Sequence, residues 1–216
     1  VWYRKPDPLA LSHFACDPPG RAYLEAEFGE VLQGLYALLR DRTWINDPIT
    51  TRPAHRKLLQ LATARAVGFQ TPRTLLTNRA DDALAFAESV GWRVAIKSLG
   101  SISVTTEAEG NETQYGVFTR RVGEAELRAH ADKIAHMPTL FQEFIEKQAE
   151  LRVTCVGDEA FACRISWDGQ GIEAEDYRFA TKELPHEAVE CPLSLREPIR
   201  RYMRALGLNF GCFDVA

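Results

Sequence analysis

Two lysines and a set of acidic residues carry the most specific chemistry in this chain. Lys57 lies in a helix-like stretch, on the side away from its leucines, and Lys97 ends a β-like segment. A nucleoside triphosphate needs cations on its phosphates, and lysine supplies them as point charges. Asp214 offers the hard oxygen that Mg²⁺ prefers. Together these residue types are typical of a site that binds a nucleotide with its metal ion.

The turn between two predicted strands adds polar groups for the rest of a nucleotide. Glu143, Glu150 and Arg152 flank this turn, and Arg178 lies in a later polar stretch. A hinge between strands offers backbone donors and acceptors to adenine, and a carboxylate accepts hydrogen bonds from ribose hydroxyls. A mobile, glycine-containing hairpin at 99–116 would exclude water from the phosphates.

Each of these residues also has an ordinary structural interpretation when it is taken singly. A lysine on a helix is most often solvated, and a charge at a strand end usually marks the rim of a sheet. An Arg–Asp pair is more often a structural ion pair than part of a site. A protein of mixed helices and strands without a nucleotide site therefore stays open at this point.

Several other kinds of site are disfavoured by the sequence. It contains no glycine-rich run ending in Gly-Lys-Ser/Thr, and no GxGxxG follows a predicted strand, which argues against P-loop and Rossmann sites. The five histidines show no metal-ligand spacing. His130 and His136 are predicted to lie on one helix but on different faces. No Ser-His-Asp or Cys-His triad is evident.

Hydrophobic spacing predicts the elements that must position these residues. Pro18 and Pro19 are expected to break the chain before an amphipathic helix that runs from Arg21 to Leu39, and Pro48 and Pro53 bracket a polar linker. The later predicted helices are 54–67, 78–91 with Asn78 as its cap, 124–136 and 193–206, and the later predicted strands are 72–77, 93–98, 139–145, 150–156, 160–167 and 209–216, with a polar loop at 168–187. This order predicts an α+β (mixed α/β) fold.

Composition limits the class of protein. The 216 residues are 45% hydrophobic and 26% charged, which fits one large or two small globular domains. The net charge of -4 gives no reason to expect nucleic-acid or membrane binding. Five cysteines without a CxxC pair favour the reducing cytoplasm over a disulfide framework. No apolar run is long enough to cross a membrane.

An ordered series of short motifs runs through nearly the whole chain. After "VWYRKP" and "WINDP" come "KLLQLATARAVGFQTPRTLLTN", "VAIKS", "LFQEFIEKQAELRVTCVGDEAFACRI", "EDYRFA" and "LGLNFGCFDVA". In this order they resemble the ATP-grasp ligases. The sequence is most similar to the ATP-grasp maturases of ribosomally made peptides, the microviridin or graspetide type. The resemblance implies an ATP-grasp fold of two α+β subdomains that grip ATP.

The resemblance assigns phosphate and metal roles to four residues. Lys57 and Lys97 match the two lysines that hold the ATP phosphates. Arg178 matches the basic residue that faces the γ-phosphate and the acyl-phosphate oxygens, so Arg178 and Lys97 are the expected catalytic residues. Asp214 matches the first Mg²⁺ carboxylate. The hairpin at 99–116 corresponds to the lid over the phosphates.

The resemblance also places the base and the sugar. Glu150 matches the acidic residue on the ribose, and Arg152 follows it as a supporting residue. The segment that matches the adenine hinge consists of Gln142, Glu143, Phe144 and Ile145. Within it, Glu143 and the backbone of Phe144 and Ile145 are expected to contact the base.

The reaction that the resemblance implies is an ATP-dependent ligation through an acyl phosphate. The expected substrate is a precursor peptide with a leader segment, whose Asp or Glu side chains are joined to Ser, Thr or Lys. The expected cofactors are ATP and Mg²⁺, and a homodimer is compatible with the resemblance. Arg120, Arg121 and Arg128 could meet an acidic peptide, although a solvated face is favoured.

Two alternatives and one departure remain at this stage. A ligase of the glutathione-synthetase or glutamate-adding type would use the same ATP site, and so would a non-catalytic ATP-binding regulatory domain. The family places a Glu-x-Asn motif of further metal ligands one strand after Asp214, but the sequence stops at Ala216. We therefore expect a piece of a longer protein, with catalysis only in the intact form.

The resemblance also predicts three domains or parts of domains. Residues 1–53 are the end of a pre-ATP-grasp domain, residues 54–140 are the central and lid subdomain, and residues 141–216 are a truncated C-terminal subdomain.

Overall fold

The fold consists of seven helices and ten strands among the described residues. A computed structural model describes residues 1–3, 14, 16–100, 103–108, 111–116, 119–147, 149–166 and 184–216, of which 103–108 and 111–116 are considered by backbone alone. The helices are Pro18–Leu38 (α1), Pro48–Ala54 (α2), Lys57–Ala66 (α3), Ala80–Ser89 (α4), Glu124–Ala129 (α5), Ala131–Ile134 (α6) and Leu193–Ala205 (α7). The strands are Thr74–Thr77 (β1), Val94–Lys97 (β2), Ser103–Ala108 (β3), Asn111–Gly116 (β4), Arg120–Val122 (β5), Thr139–Glu143 (β6), Ala149–Val156 (β7), Glu159–Ser166 (β8), His186–Val189 (β9) and Phe210–Val215 (β10).

The first four-stranded sheet has the order β1-β6-β2-β5 and is antiparallel throughout. Apolar residues of its strands and of α4, α5 and α6 form one core, in which Ala83, Ala87 and Phe141 are fully buried. Lys97 is the last residue of β2 and pairs with Leu140 of β6. The sheet therefore places a lysine at the end of a strand whose other residues anchor it in the core.

The second four-stranded sheet has the order β10-β7-β8-β9 and is also antiparallel. Gly157, with φ 58°, allows the tight turn between β7 and β8. Val153 and Phe213 lie on the sheet face that packs against α7. Because successive side chains of a strand alternate between faces, Arg152 and Asp214 lie on the opposite face.

Most sequence-based helices and strands agree with the structure to within a few residues at their ends. The β7–β8 hairpin, α7 and β10 are confirmed, and so is a hairpin within 99–116, formed by β3 and β4. No residue of α1 is fully buried, and on its predicted apolar face Leu24 and Leu32 are half-buried while Val31 and Leu35 are exposed. All of β6 pairs in the first sheet, so the expected division after residue 140 cuts through a strand. The division of the chain into domains stays a prediction.

Three predictions about prolines and caps are wrong. The predicted break at Pro18 is instead a helix start, because the first turn needs no proline N–H and Asp17 accepts from the Gly20 N–H at 2.9 Å. The linker bracketed by two prolines is helix α2, which Asp47 caps by accepting from the Ile49 N–H at 2.7 Å. Asn78 does not cap α4, whose N-cap is Arg79.

Two further corrections concern longer segments. The helix predicted at 124–136 is two short helices that meet at His130, so His130 and His136 do not share a helix. Residues 186 and 187, predicted as loop, belong to β9 and pair with β8. Their side chains are exposed, so hydrophobic periodicity gives no sign of the strand. Among the described residues, no helix is long and apolar enough to cross a membrane.

Candidate nucleotide-binding site

One open cleft of roughly 1450 Å³ is lined by both sheets and by the helices and loops that precede them. Strands β2 and β6 supply one wall through residues such as Ala95 and Leu140, and β10 supplies the other through residues such as Cys212. The candidate residues in the lining are Lys57, Lys97, Gln142, Glu143, Phe144, Ile145, Glu150, Arg152 and Asp214. Residues that are separated by up to 157 positions in sequence thus meet in one cavity.

The two lysines reach the cleft from separate elements. Lys57 is the first residue of α3, and Lys97 is the last residue of β2. Both line the same cavity and do not open onto separate surfaces. The first turn of a helix also carries backbone N–H groups that lack partners within the helix, which favours a nearby anion. Two lysines and a helix N-terminus that line one cleft are therefore suited to a polyphosphate.

The expected adenine hinge consists of the last two residues of β6 and the two residues after it, and it is partly occupied by the protein's own hydrogen bonds. The Glu143 N–H donates to the Arg73 carbonyl at 2.8 Å, and the Phe144 N–H donates to the Arg93 carbonyl at 2.9 Å. Within the described residues, no hydrogen bond occupies the N–H of Ile145. Of the two backbone positions expected to meet adenine, Ile145 is thus the one with an available donor.

The side chains of the hinge also have partners within the fold. Gln142 is 5% exposed, and its Nε2 donates to Thr74 Oγ1 at 3.0 Å, which ties β6 to β1. Glu143 lies 3.8 Å from Arg93 in an ion pair. The Phe144 ring lies beneath the Arg121 guanidinium, 4.9 Å from the ring centroid. The side chain of Gln142 therefore stabilises the pairing of β6 with β1.

The expected ribose carboxylate is buried and already paired. Glu150 is 8% exposed, and its Oε1 accepts from the Lys147 ammonium. Lys147 also lines the cleft but was missed by the sequence analysis. The available signal was a lysine three residues before an acidic residue in a polar turn.

The expected metal ligand also carries an ion pair. Asp214 lies opposite Arg152 in the β10–β7 register, and Arg152 Nη1 donates to Asp214 Oδ1 at 3.0 Å. The side chain of Asp214 is half exposed, so its carboxylate is accessible from the cleft. A carboxylate is a fitting ligand for Mg²⁺, which often takes only one or two from a protein. The described part of the chain contains no cluster of three or more such ligands.

The remaining candidates fall into two groups. Arg178 lies outside the described residues, as does part of the predicted polar loop around it. The three arginines considered for a peptide surface are engaged by the fold. Arg120 pairs with Glu126, Arg128 pairs with Glu124 at 3.0 Å, and Arg121 stacks over Phe144.

Known structures share this architecture. Macrocyclase MdnC of Microcystis aeruginosa, bound with precursor peptide MdnA, aligns with TM-score 0.82 at 27% identity, over 99% of this chain and 65% of that one. A RiPP-associated ATP-grasp ligase of Chryseobacterium gregarium, in complex with ADP and a leader and core peptide, aligns with TM-score 0.77 at 27% identity, over 99% and 63%. Macrocyclase MdnB of Microcystis aeruginosa aligns with TM-score 0.73 at 29% identity, over 99% and 63%.

These similarities define the class of fold. The chain has the ATP-grasp fold, and its similarity to ATP-grasp ligases of ribosomal peptides, indicated by the sequence motifs, is confirmed. The chain spans less than two thirds of the length of each of these proteins. No protein-family model matches it.

Proposed function

We propose that this chain provides the ATP site of a ligase that joins carboxylates of a ribosomal precursor peptide to its hydroxyl or amino groups. One observation carries the proposal: lysines from α3 and β2, the hinge after β6 and the Arg152–Asp214 pair all line a single cleft. The MdnC and Chryseobacterium structures contain precursor, leader or core peptides, which supports a peptide as the substrate. The free thiols of the described cysteines are consistent with a cytoplasmic setting.

The chemistry joins two groups with the loss of one water overall. A peptide carboxylate oxygen attacks the γ-phosphorus, and the bond to the β–γ bridging oxygen breaks, which gives an acyl phosphate and ADP. A Ser or Thr hydroxyl, or a Lys amine, then attacks the acyl carbon. The acyl–oxygen bond breaks, phosphate leaves, and the nucleophile gives up a proton. The product is an ester or an amide.

The residues of this chain act by positioning and charge. Lys57 and Lys97 hold the phosphates and neutralise the negative charge that an attacking carboxylate would otherwise face. The Ile145 N–H donates to adenine, and Glu150 accepts from the ribose after it releases Lys147. Asp214 would hold Mg²⁺, which when bound would supply further charge neutralisation at the phosphates. Arg178 is proposed to face the γ-phosphate.

Mass spectrometry of a peptide incubated with the intact protein and ATP tests this function. The probe is a short Thr-, Ser- and Asp/Glu-rich peptide with its leader, encoded beside the gene for this protein. We expect ATP-dependent loss of one water mass per bond, and no loss with the Lys97→Ala variant. If ATP binds but the peptide mass never changes, a ligase of free amino acids or a non-catalytic ATP-binding domain replaces this proposal.

A further inference from the structure

A buried asparagine ties the segment before α2 to the strand that carries Asp214. Asn46 is 9% exposed. Its Oδ1 accepts from the N–H of Asn209 at 2.8 Å and from the N–H of Phe210 at 2.7 Å. Its Nδ2 donates to the Phe210 carbonyl at 2.7 Å. Both polar atoms of the side-chain amide are therefore committed to the beginning of β10.

This contact lies on the open edge of the second sheet. Among the described strands, β10 pairs only with β7, so its other edge has no neighbouring strand. Asn46 bonds both the N–H and the carbonyl of Phe210, as a residue of a neighbouring strand would. An edge strand without such partners opens more easily. Asn46 thus secures the first residue of β10, four residues before Asp214.

Neighbouring hydrogen bonds join three segments here, namely the stretch around Trp44, the beginning of β10 and the β7–β8 turn. The side chain of Asn209 returns a hydrogen bond from Nδ2 to the Trp44 carbonyl at 2.9 Å. The Asn209 carbonyl accepts from the N–H of Gly157, in the β7–β8 turn, at 2.8 Å. Trp44 is itself buried. The beginning of β10 is therefore fixed relative to β7, the strand that supplies Arg152.

We infer that Asn46 is a positioning residue, which fixes β10 and thereby the place of Asp214 and Arg152 in the cleft. Asn46 acts through the backbone of β10, and the inference assigns it no contact with the substrate. The inference rests on the proposed function, because the catalytic effect of Asn46 depends on the role of Asp214. A small displacement of a catalytic group is costly in rate, since effective concentration depends steeply on geometry.

The experiment compares Asn46→Ala and Asn46→Asp with a matched control, Thr50→Val, in the full protein. Thr50 Oγ1 lies 3.1 Å from the Asp47 carbonyl and 3.4 Å from the Gly207 carbonyl, so the control removes a hydroxyl from the same region without touching β10. Asn46→Asp keeps an acceptor for the N–H groups of Asn209 and Phe210 but turns an oxygen, instead of a donor, toward the Phe210 carbonyl. Asn46→Ser, which keeps a short polar side chain, replaces Asn46→Ala if that variant does not fold. Hydrogen exchange over 209–214 and the kcat and KM of ATP-dependent bond formation are measured.

We expect exchange over 209–214 to accelerate about tenfold in Asn46→Ala, which corresponds to about 1.4 kcal/mol, while the β7–β8 turn changes less. The kcat should fall on the order of 10- to 100-fold in Asn46→Ala and by at least as much in Asn46→Asp, because the buried carboxylate faces the Phe210 carbonyl. Thr50→Val should stay within about twofold of the wild type in both measurements. A wild-type exchange rate in Asn46→Ala, or an equal kcat loss in Thr50→Val, overturns the inference.

Failure of the proposed function is recognised separately. In that case the wild type forms no bond with any peptide, and the exchange measurement alone decides whether Asn46 holds β10. Accelerated exchange over 209–214 in Asn46→Ala supports the positioning of the strand, and unchanged exchange refutes it.

Discussion

At the scale of single residues, the cleft holds its carboxylates as ion pairs. Glu150 is paired with Lys147 and Asp214 with Arg152. The first pair is nearly buried, so a nucleotide that takes Glu150 must replace the ammonium with hydroxyl donors. The second is half exposed, where ion pairs contribute little stability, about 0–1 kcal/mol. Asp214 can therefore exchange its arginine for another cation at small cost.

The thiol of Cys155 gives a prediction about stability and pH. Cys155 is buried in the core beneath α7, and this burial raises the pKa of the thiol from 9.0 to about 11, with smaller contributions from Cys191 and Cys212. Between these pH values the unfolded chain loses a proton that the folded protein keeps. The contribution of this thiol to the free energy of unfolding is therefore fully present below pH 9 and is lost as the pH rises toward 11.

Urea unfolding of the wild type and of Cys155→Ala at pH 8 and at pH 10 measures this effect. The variant is less stable at both values because it leaves a small cavity, but its loss between the two should be the smaller one. Burial also raises the pKa of Tyr202, and that contribution is common to both proteins. Equal losses in the two proteins would show that Cys155 does not titrate differently on folding.

At the scale of elements, the backbone after β6 sets which peptide groups the proposed adenine hinge can offer to a base. Glu143 is the last residue of β6, and its N–H bonds the Arg73 carbonyl. The N–H of Phe144 bonds the Arg93 carbonyl, so the pairing continues one residue beyond β6. Only after these bonds does a backbone donor become available, at Ile145. The pairing of the sheet therefore sets which peptide group faces the cleft.

Ile145→Pro removes this donor, and because proline also fixes φ at position 145 and restricts Phe144, its unfolding curve is compared with that of the wild type. We expect its Kd for ATP to rise about tenfold, because a hydrogen bond lost in a binding site costs about 1–1.5 kcal/mol. The control is Ile145→Ala, which keeps the N–H and should stay within about threefold, since Ile145 is already 41% exposed. Isothermal titration measures both affinities. Equal losses in the two variants would mean that the side chain, not the N–H, contacts the base.

The sequence predicts elements well where one face is buried, and poorly where local bonds decide. Val153 and Cys155 give β7 a clear apolar side, and β6 is buried on both faces around Leu140 and Phe141. Both strands were predicted nearly in full. Helix α2 exists because Asp47 caps it, although its two prolines are typical of a linker. The strand β9 has an exposed surface, so only its pairing with β8 defines it.

The candidate site likewise contains residues that the sequence could select and residues that it could not. The residue types of Lys57, Lys97 and Asp214, with the resemblance, were enough to select the positions that line the cleft. Asn46 and Lys147 were missed because their contribution depends on contacts that the chain makes only when folded. An asparagine in a turn before a proline is ordinary in sequence, and only its bonds to Phe210, 164 residues later, distinguish it.

At the scale of the whole molecule, the proposed function depends on two sheets that share one cleft. The first sheet and α3 supply cations, and the second sheet supplies the Arg152–Asp214 pair. Neither half has the complete set, so a nucleotide in the cleft would bridge the two. The central claim is that both lysines act on the same triphosphate.

Titration of ATP and of adenosine into the wild type, Lys57→Ala and Lys97→Ala tests that claim most directly. Each lost ammonium removes an attraction to phosphate that is absent for adenosine, so each variant should bind ATP about tenfold or more weakly and adenosine as the wild type does. Unfolding curves confirm that the variants are folded. Unchanged ATP affinity in either variant, or equal losses for ATP and adenosine, would contradict the account.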